Sequence, residues 1–220
     1  MQELKTLARF SDYQPAGVIP ATLLAFNDDL SIDEAATISH LRDVARVDGI
    51  SAITVNGHAS EIHACSFDEQ RRILDVTLDT VGDKLPIING VYADGSIEAA
   101  RIARMSEEAG ASCLLVFPPH SIGFGSGVSR PEMILGHFRA IAEATDLPFI
   151  AFQYPVAMNY CYPLDTLVRM AEEIPSFRAI KDWCNDAVRH ETHIRTLQGL
   201  TRPVNVLSTH SSWPMASLSL

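Results

Sequence analysis

Seven short apolar runs recur along the chain, roughly 30 residues apart, and each gives way to a longer stretch of helical period. The runs cover 17–23, 50–55, 86–91, 112–117, 148–154, 177–181 and 204–207. Several are apolar almost throughout, the pattern of strands covered on both faces. The helical stretches cover 31 to about 47, the segment after 66 that carries Ile73, Leu74 and Leu78, then 96–109, 131–144, 163–173 and about 186–200. Ser31-Ile32-Asp33-Glu34 and Ser66-Phe67-Asp68-Glu69 open the first two in the pattern of a capping box. Regular alternation of strand and helix predicts βα units around a parallel sheet. Two architectures satisfy it, a TIM-type barrel and a doubly wound open sheet. The open sheet calls for a glycine-rich phosphate turn after the first strand. Here that turn is Ala25-Phe26-Asn27-Asp28-Asp29, with no glycine and two acids, so the barrel is favoured. The predicted fold class is α/β, a (β/α)8 barrel in one domain over 1–220. Closure takes eight strands and typically about 250 residues. With about seven βα units here, the barrel is expected to be incomplete, its natural chain running on past Leu220 with a final strand and further helices.

Composition removes several functions. The chain has 220 residues, 47% of them hydrophobic and 20% charged, which is globular and not disordered. Lys and Arg total 17 against 27 Asp and Glu, a formal charge of -10, and no basic run interrupts that balance. Such a chain is a poor binder of nucleic acid, whose affinity rests on cationic contacts with phosphates. Cys65, Cys113, Cys161 and Cys184 are widely spaced and form neither a zinc ribbon nor a disulfide framework. The N-terminal MQELKTLARFSDYQ has no apolar signal core, and no segment nears the ~20 apolar residues that span a bilayer. A cytoplasmic protein without membrane partners is expected.

In a βα barrel the chemistry sits at the C-terminal ends of the strands and in the loops that follow. Of three lysines, Lys5 lies in the N-terminal arm and Lys84 in the helix-to-strand turn before Pro86. Lys181 alone ends an apolar strand, Phe177-Arg178-Ala179-Ile180-Lys181. Period-2 alternation places Phe177, Ala179 and Lys181 on one face, with small Ala179 leaving room for the lysine stem. A desolvated amine has a lowered pKa, and its neutral form attacks a carbonyl to give a Schiff base. The plainer reading is a lysine paired with an acid such as Asp182.

The chain resembles the pyruvate-type class I aldolases that include dihydrodipicolinate synthase and N-acetylneuraminate lyase. The resemblance runs from about Gly17 to Leu220. It is carried by Gly17-Val18-Ile19-Pro20-Ala21-Thr22-Leu23-Leu24-Ala25-Phe26, by Gly57-His58-Ala59-Ser60-Glu61 and by Leu85-Pro86-Ile87-Ile88-Asn89-Gly90. It continues through Pro118-Pro119-His120, Phe152-Gln153-Tyr154-Pro155, Ala179-Ile180-Lys181 and Leu207-Ser208-Thr209-His210-Ser211. The resemblance implies a (β/α)8 barrel, an imine between Lys181 and a 2-oxo acid such as pyruvate, no metal, no cofactor and a homo-oligomer, tetramer or dimer. It carries substrate binding onto Gly57, Ala59, Ser60 and Phe152.

The departures shape the expectation as much as the matches. The family's relay tyrosine is Phe152, the first hydroxyl of its loop motif is His58, and the neighbour that helps hold the substrate carboxylate is Ala59. The two loop tyrosines are Pro119 and His120, and the arginine for the aldehyde's carboxylate is Ala157. Synthesis of dihydrodipicolinate is therefore not expected, and another 2-oxo acid reaction with a rebuilt relay is. His58 and His120 replace hydroxyls with imidazoles, which titrate near neutrality and carry protons well; read plainly, they are loop histidines that fill space. Tyr154 shares the strand face of Phe152 and offers a hydroxyl one step further out. Glu61 is read as holding its loop by accepting backbone N–H bonds. His190 and His193, at i and i+3, are read as facing solvent. Gly123-Phe124-Gly125-Ser126-Gly127 lacks a following G-K-[ST] and is read as a mobile loop over the barrel mouth.

The leading expectation is a Schiff-base lyase, aldolase or dehydratase. Lys181 forms the imine and His58, His120 and Tyr154 move protons. A second is a relative that keeps the barrel and binds a 2-oxo acid without catalysis. A third is a metal-dependent aldolase or hydrolase built on His58, Glu61, His63 and His120, whose spacing is not a standard ligand set.

Overall fold

The structure is a computed structural model that describes residues 10–123, 129–209 and 217–218. Among the described residues six parallel strands form one sheet, β1 (Ile53–Val55), β2 (Ile87–Val91), β3 (Cys113–Val116), β4 (Phe149–Gln153), β5 (Phe177–Asp182) and β6 (Asn205–Ser208). They lie side by side in chain order. That order has no reversal point of the kind that defines a doubly wound sheet, so the arrangement is that of a barrel wall. The helices are α1 (Glu34–Ala45), α2 (Phe67–Val81), α3 (Ser96–Ala109), α4 (Pro131–Ala142), α5 (Leu164–Glu173) and α6 (Ala187–Leu197).

Alternation along the strands divides the core in two. Ile53, Val55, Leu114, Phe149 and Ile180 face the helices in the larger cluster. Ile88, Leu115, Phe117, Ile150, Phe152 and Ala179 form a second cluster on the concave face. On the helix side, Phe138 of α4 stacks on Phe149 at 5.3 Å and Phe149 on Phe177 at 5.4 Å. All three are fully buried, and each contributes about 1.5–3 kcal/mol through burial alone.

Three expectations need correction. The run 17–23 does not form a full strand; it touches β1 and its approach through isolated parallel bridges at Val18–Ile50 and Ala21–Thr54. Pro20 explains the interruption, since it accepts from the Thr54 N–H at 2.9 Å but has no N–H to return. Helix α1 is capped by Asp33, whose carboxylate accepts from the Ala36 N–H at 2.9 Å, while Ser31 is drawn into a turn on Asp29. The capping box at Ser66 and Glu69 is present as expected. On β5, Phe177 packs with the helices and not with Ala179 and Lys181. The pairing with β4 shifts between Phe149–Phe177 and Ile150–Ala179, so Arg178 is an extra residue and the alternation restarts after it.

A buried polar chain fixes the start of the loop that follows β1. Asn56 Nδ2 donates to Asn89 Oδ1 and to the Gln70 carbonyl, both at 2.8 Å, and Asn89 Nδ2 donates to Ser106 Oγ at 2.8 Å. Gly90 makes this approach possible. A Cβ there would lie 1.7 Å from the Asn56 carbonyl oxygen.

Candidate active site

Lys181 lies near the C-terminal end of β5, on the concave face. Its side chain lines a cavity of about 260 Å³ with Ile19, Thr54, Leu115, Ile150, Leu207 and Thr209. Burial lowers its pKa from 10.5, because a charged ammonium loses hydration there. Its Nζ stands 5.2 Å from the centre of the Phe152 ring. The adjacent acid is not its partner. Asp182 points to the helix side, where its carboxylate accepts from His190 Nδ1 at 2.7 Å and His193 Nδ1 at 2.9 Å, and from the Cys184 N–H at 3.2 Å.

His190 and His193 are therefore buried against β5 and do not face solvent. The i, i+3 spacing placed them correctly on one helix face, but that face meets a buried carboxylate. Burial alone would raise the Asp182 pKa; the two imidazole hydrogen bonds overcome it and hold the carboxyl well below the usual range. Asp182, Cys184 and His193 offer ligand atoms within 4.8 Å of one another, all buried, although the carboxylate is already engaged by the imidazoles. The Asp182 carbonyl also accepts from the Thr209 N–H at 3.2 Å and Oγ1 at 3.0 Å, and the Trp183 N–H donates to the Gln153 carbonyl at 2.9 Å. The strand end that carries Lys181 is thus held from α6, β4 and the segment after β6.

His58 and Tyr154 meet across the site. Their Nε2 and Oη atoms share a short hydrogen bond. Burial first, then the charges of Lys181, His63 and His120, push the His58 pKa down to about 4. Burial raises the Tyr154 hydroxyl well above 10. Near neutral pH both groups are uncharged, and Tyr154 is the donor when Nε2 carries the lone pair. Phe152 packs against both, at 5.5 Å from His58 and 4.7 Å from Tyr154, and so joins the pair to Lys181. His120 stands further out. Its Nε2 is 3.0 Å from the Tyr92 hydroxyl, its backbone N–H donates to Asp94 Oδ1 at 2.6 Å, and its ring lies 5.4 Å from Tyr160.

Gly57, Ala59 and Ser60 share a short 3₁₀ turn beside His58. The Ser60 hydroxyl donates to the Thr22 carbonyl at 2.8 Å, so its proton is committed to holding 17–23 against the loop. Glu61 steadies the loop through its backbone. It adopts φ 54°, its N–H donates to the His58 carbonyl and its carbonyl accepts from Ala64, while its side chain is exposed. The carboxylate role expected of it is not the one it plays. The glycine-rich loop falls on 123–127, of which 124–127 lie outside the described residues, as does His210.

Sequence reasoning did not single out Tyr92, Tyr160 and Trp183. Tyr92 directly follows β2 and Trp183 directly follows β5, so both stand at strand ends, but the sequence gives neither a role. Tyr160 sits in an irregular segment with no periodicity, and only the fold brings it to the mouth; Gly123 admits it, since a Cβ there would meet the Tyr160 ring at 2.3 Å.

Comparison with known proteins places this arrangement. The family model described as the Dihydrodipicolinate synthetase family matches residues 14–208. The 4-hydroxy-tetrahydrodipicolinate synthase of Sphingopyxis alaskensis is 30% identical over 180 residues, covering 81% of this chain and 58% of that protein. The synthase of Salinibacter ruber is 31% identical over 172 residues, covering 77% and 54%. Among solved structures, the 4-hydroxy-tetrahydrodipicolinate synthase of Methylacidiphilum fumariolicum SolV superposes with a TM-score of 0.82 at 23% identity, over 94% of this chain and 65% of that one. A prophage protein of the dihydrodipicolinic acid synthase family from E. coli K12, solved in complex with pyruvate, superposes with a TM-score of 0.83 at 19% identity, over 92% and 66%. This chain thus spans 54–58% of the length of these two curated relatives. The superpositions match the fold, and the family model over residues 14–208 together with the sequence identity to these relatives shows that the chain belongs to the dihydrodipicolinate synthetase family.

Proposed function

We propose that the protein is a Schiff-base lyase or aldolase that activates pyruvate or another 2-oxo acid on Lys181. The observation that carries this reading is Lys181 itself, a desolvated amine on the concave face at a strand's C-terminal end, opening into a cavity. The neutral Nζ attacks the C2 carbonyl, and the carbonyl oxygen leaves as water once protonated. The resulting iminium withdraws electrons from C3, which releases a proton to give an enamine. The enamine carbon then bonds to the carbonyl carbon of a second substrate, whose oxygen takes up a proton. Water hydrolyses the imine, frees Lys181 and releases a 4-hydroxy-2-oxo acid. Cleavage is the same path reversed.

The proton steps fall to His58 and Tyr154. Tyr154 Oη accepts the C3 proton as it passes its own to His58 Nε2, and the protonated pair returns a proton to the carbonyl oxygen of the second substrate, which leaves it neutral again. His120 is assigned to the outer side of the site, where it is hydrogen-bonded to Tyr92, whose ring lies 5.9 Å from that of His58. The Gly57, Ala59 and Ser60 turn is assigned to the 2-oxo acid carboxylate and Phe152 to the wall beside the imine. The reaction is assigned to a carbonyl partner other than the synthase's, because Phe152 has no hydroxyl and Ala157 no positive charge. A chelator separates this reading from metal-dependent aldol chemistry. Pyruvate-dependent activity that survives the chelator and is lost on borohydride treatment with pyruvate supports it; loss to the chelator alone overturns it.

A further inference from the structure

The turn that leaves β5 gathers ligating side chains on the helix side of the sheet. Asn185 adopts φ 56°, a left-handed conformation that asparagine tolerates, and so turns the chain from the strand into α6. Before the turn, the Cys184 N–H donates to Asp182 Oδ1 at 3.2 Å. After it, the Asp186 carboxylate accepts from the Arg189 N–H at 2.9 Å and the Asp186 carbonyl from the Cys184 thiol at 3.3 Å. His190 and His193 follow on one face of α6. Their Nδ1 atoms reach the same carboxylate oxygen, Asp182 Oδ2, at 2.7 and 2.9 Å. The ligand atoms of Asp182, Cys184 and His193 all lie within 4.8 Å of one another, and the three residues are buried.

Among the described residues, no lysine or arginine pairs with this buried carboxylate. Lys181 opens into the cavity on the other face of β5, and Arg189 is turned to Cys161 Sγ at 3.4 Å. One oxygen, one sulfur and two nitrogen donors make the mixed set that suits zinc. Zinc holds nitrogen and oxygen at about 2.0–2.2 Å and sulfur at about 2.3 Å, so tetrahedral ligand atoms stand about 3.2–3.7 Å apart. His193 and Asp182 are already 2.9 Å apart, and the 4.8 Å limit on the cluster leaves Cys184 about 1 Å to move. The charges close as well, since a carboxylate and a thiolate balance one divalent ion. The second nitrogen of His190 is fixed on Ser217 Oγ at 2.9 Å, the outer hydrogen bond that orients a metal-bound imidazole. A groove bordered by Cys161, Asp186, Arg189, Thr192 and His193 gives an ion its route in.

We propose that Asp182, Cys184 and His193, with His190 as the fourth ligand, form a structural zinc site that clamps α6 to the end of the strand bearing Lys181. Binding releases the Cys184 thiol proton to solvent and moves each imidazole hydrogen from Nδ1 to Nε2, so that two nitrogen lone pairs, the carboxylate and the thiolate face the ion. Nothing is oxidised or reduced. Asp182 and Lys181 project from opposite faces of β5, so the ion lies outside the cavity and touches no substrate held on Lys181. The site stands whether or not Lys181 forms an imine.

The test dialyses the full chain against a chelator, then titrates it with zinc and, separately, with cobalt(II). Zinc should bind at one per chain and, at a hundredfold excess over Kd, raise Tm by about 5–10 °C. Cobalt should give the visible absorption of a tetrahedral site and a thiolate-to-metal charge-transfer band. Cys184→Ser should lose that band. Cys184→Ser and His193→Ala, each shown to be folded by circular dichroism, should weaken zinc binding by roughly tenfold or more, while Cys65→Ser keeps both band and affinity. A wild-type chain that binds no zinc, or a charge-transfer band that persists in Cys184→Ser, overturns the inference. Borohydride trapping of pyruvate on the untreated protein keeps this site apart from the imine reading. An adduct on Lys181 without zinc binding overturns the zinc site alone, and zinc binding without an adduct overturns the imine alone. Activity lost both to the chelator and to borohydride with pyruvate supports an imine enzyme whose metal is structural.

Discussion

Tyr154→Phe isolates the relay more cleanly than any other single change. It removes one oxygen and keeps the ring, which packs on Phe152 at 4.7 Å, Tyr160 at 5.8 Å and Trp183 at 6.3 Å. Tyr154 is only 4% exposed, so its hydroxyl works in a site with little water to replace it. Losing one hydrogen bond to His58 costs about 0.5–1.5 kcal/mol of stability, too little to unfold a domain. The kinetic cost is larger. A positioned acid or base contributes about 10²–10⁴ in rate, or roughly 3–5.5 kcal/mol of barrier. Exchange of the pyruvate methyl protons with deuterated water, followed by proton NMR, reads the C3 deprotonation without a second substrate. Tyr154→Phe should slow exchange by about 10²–10⁴ while the protein stays folded by circular dichroism. Exchange within about threefold of wild type, in a protein where Lys181→Ala abolishes it, would show that Tyr154 does not act in the proton steps and that the relay lies elsewhere.

Other perturbations follow from the same geometry. Asp182→Ala strips two imidazoles and one backbone N–H of a buried acceptor and should lower stability in urea by about 3–5 kcal/mol, with Asp182→Asn milder. Gly90→Ala drives a Cβ onto the Asn56 carbonyl oxygen and should cost more than about 3 kcal/mol, read as a lowered Tm. His137 is buried, and its pKa falls to about 4 by desolvation, partly opposed by Asp94. The unfolded chain then binds the extra proton between about pH 6.5 and 4, so stability should fall as pH drops through that window, by up to about 3 kcal/mol from this group. His137→Gln should flatten that slope in urea titrations across the window; an unaltered slope would contradict the assignment.

The fold was legible because its signals are local. Apolar runs at a fixed period and two strong helix starts do not depend on distant residues, and six of the seven runs became strands. The first run was misread because Pro20 spoils a ladder that its apolar character otherwise suits. The face of Phe177 was misread because one extra residue, Arg178, resets a period of two, and nothing in the run Phe177-Arg178-Ala179 marks a bulge. Lys181 was legible by elimination, as the single lysine at a strand end. His190 and His193 were not, because a polar helix face looks the same whether it meets water or a buried carboxylate from another strand. The meeting of His58 with Tyr154 was invisible for a similar reason. They are 96 residues apart and come together only because parallel strands end at one level.

The central claim is the covalent role of Lys181. The direct measurement treats the protein with pyruvate and borohydride, digests it and locates the reduced adduct by tandem mass spectrometry. The account predicts a pyruvate-derived modification on the Lys181 peptide, absent from Lys181→Ala and retained in Lys84→Ala. Modification spread equally over Lys5, Lys84 and Lys181, or none on Lys181 while pyruvate is still turned over, would contradict it.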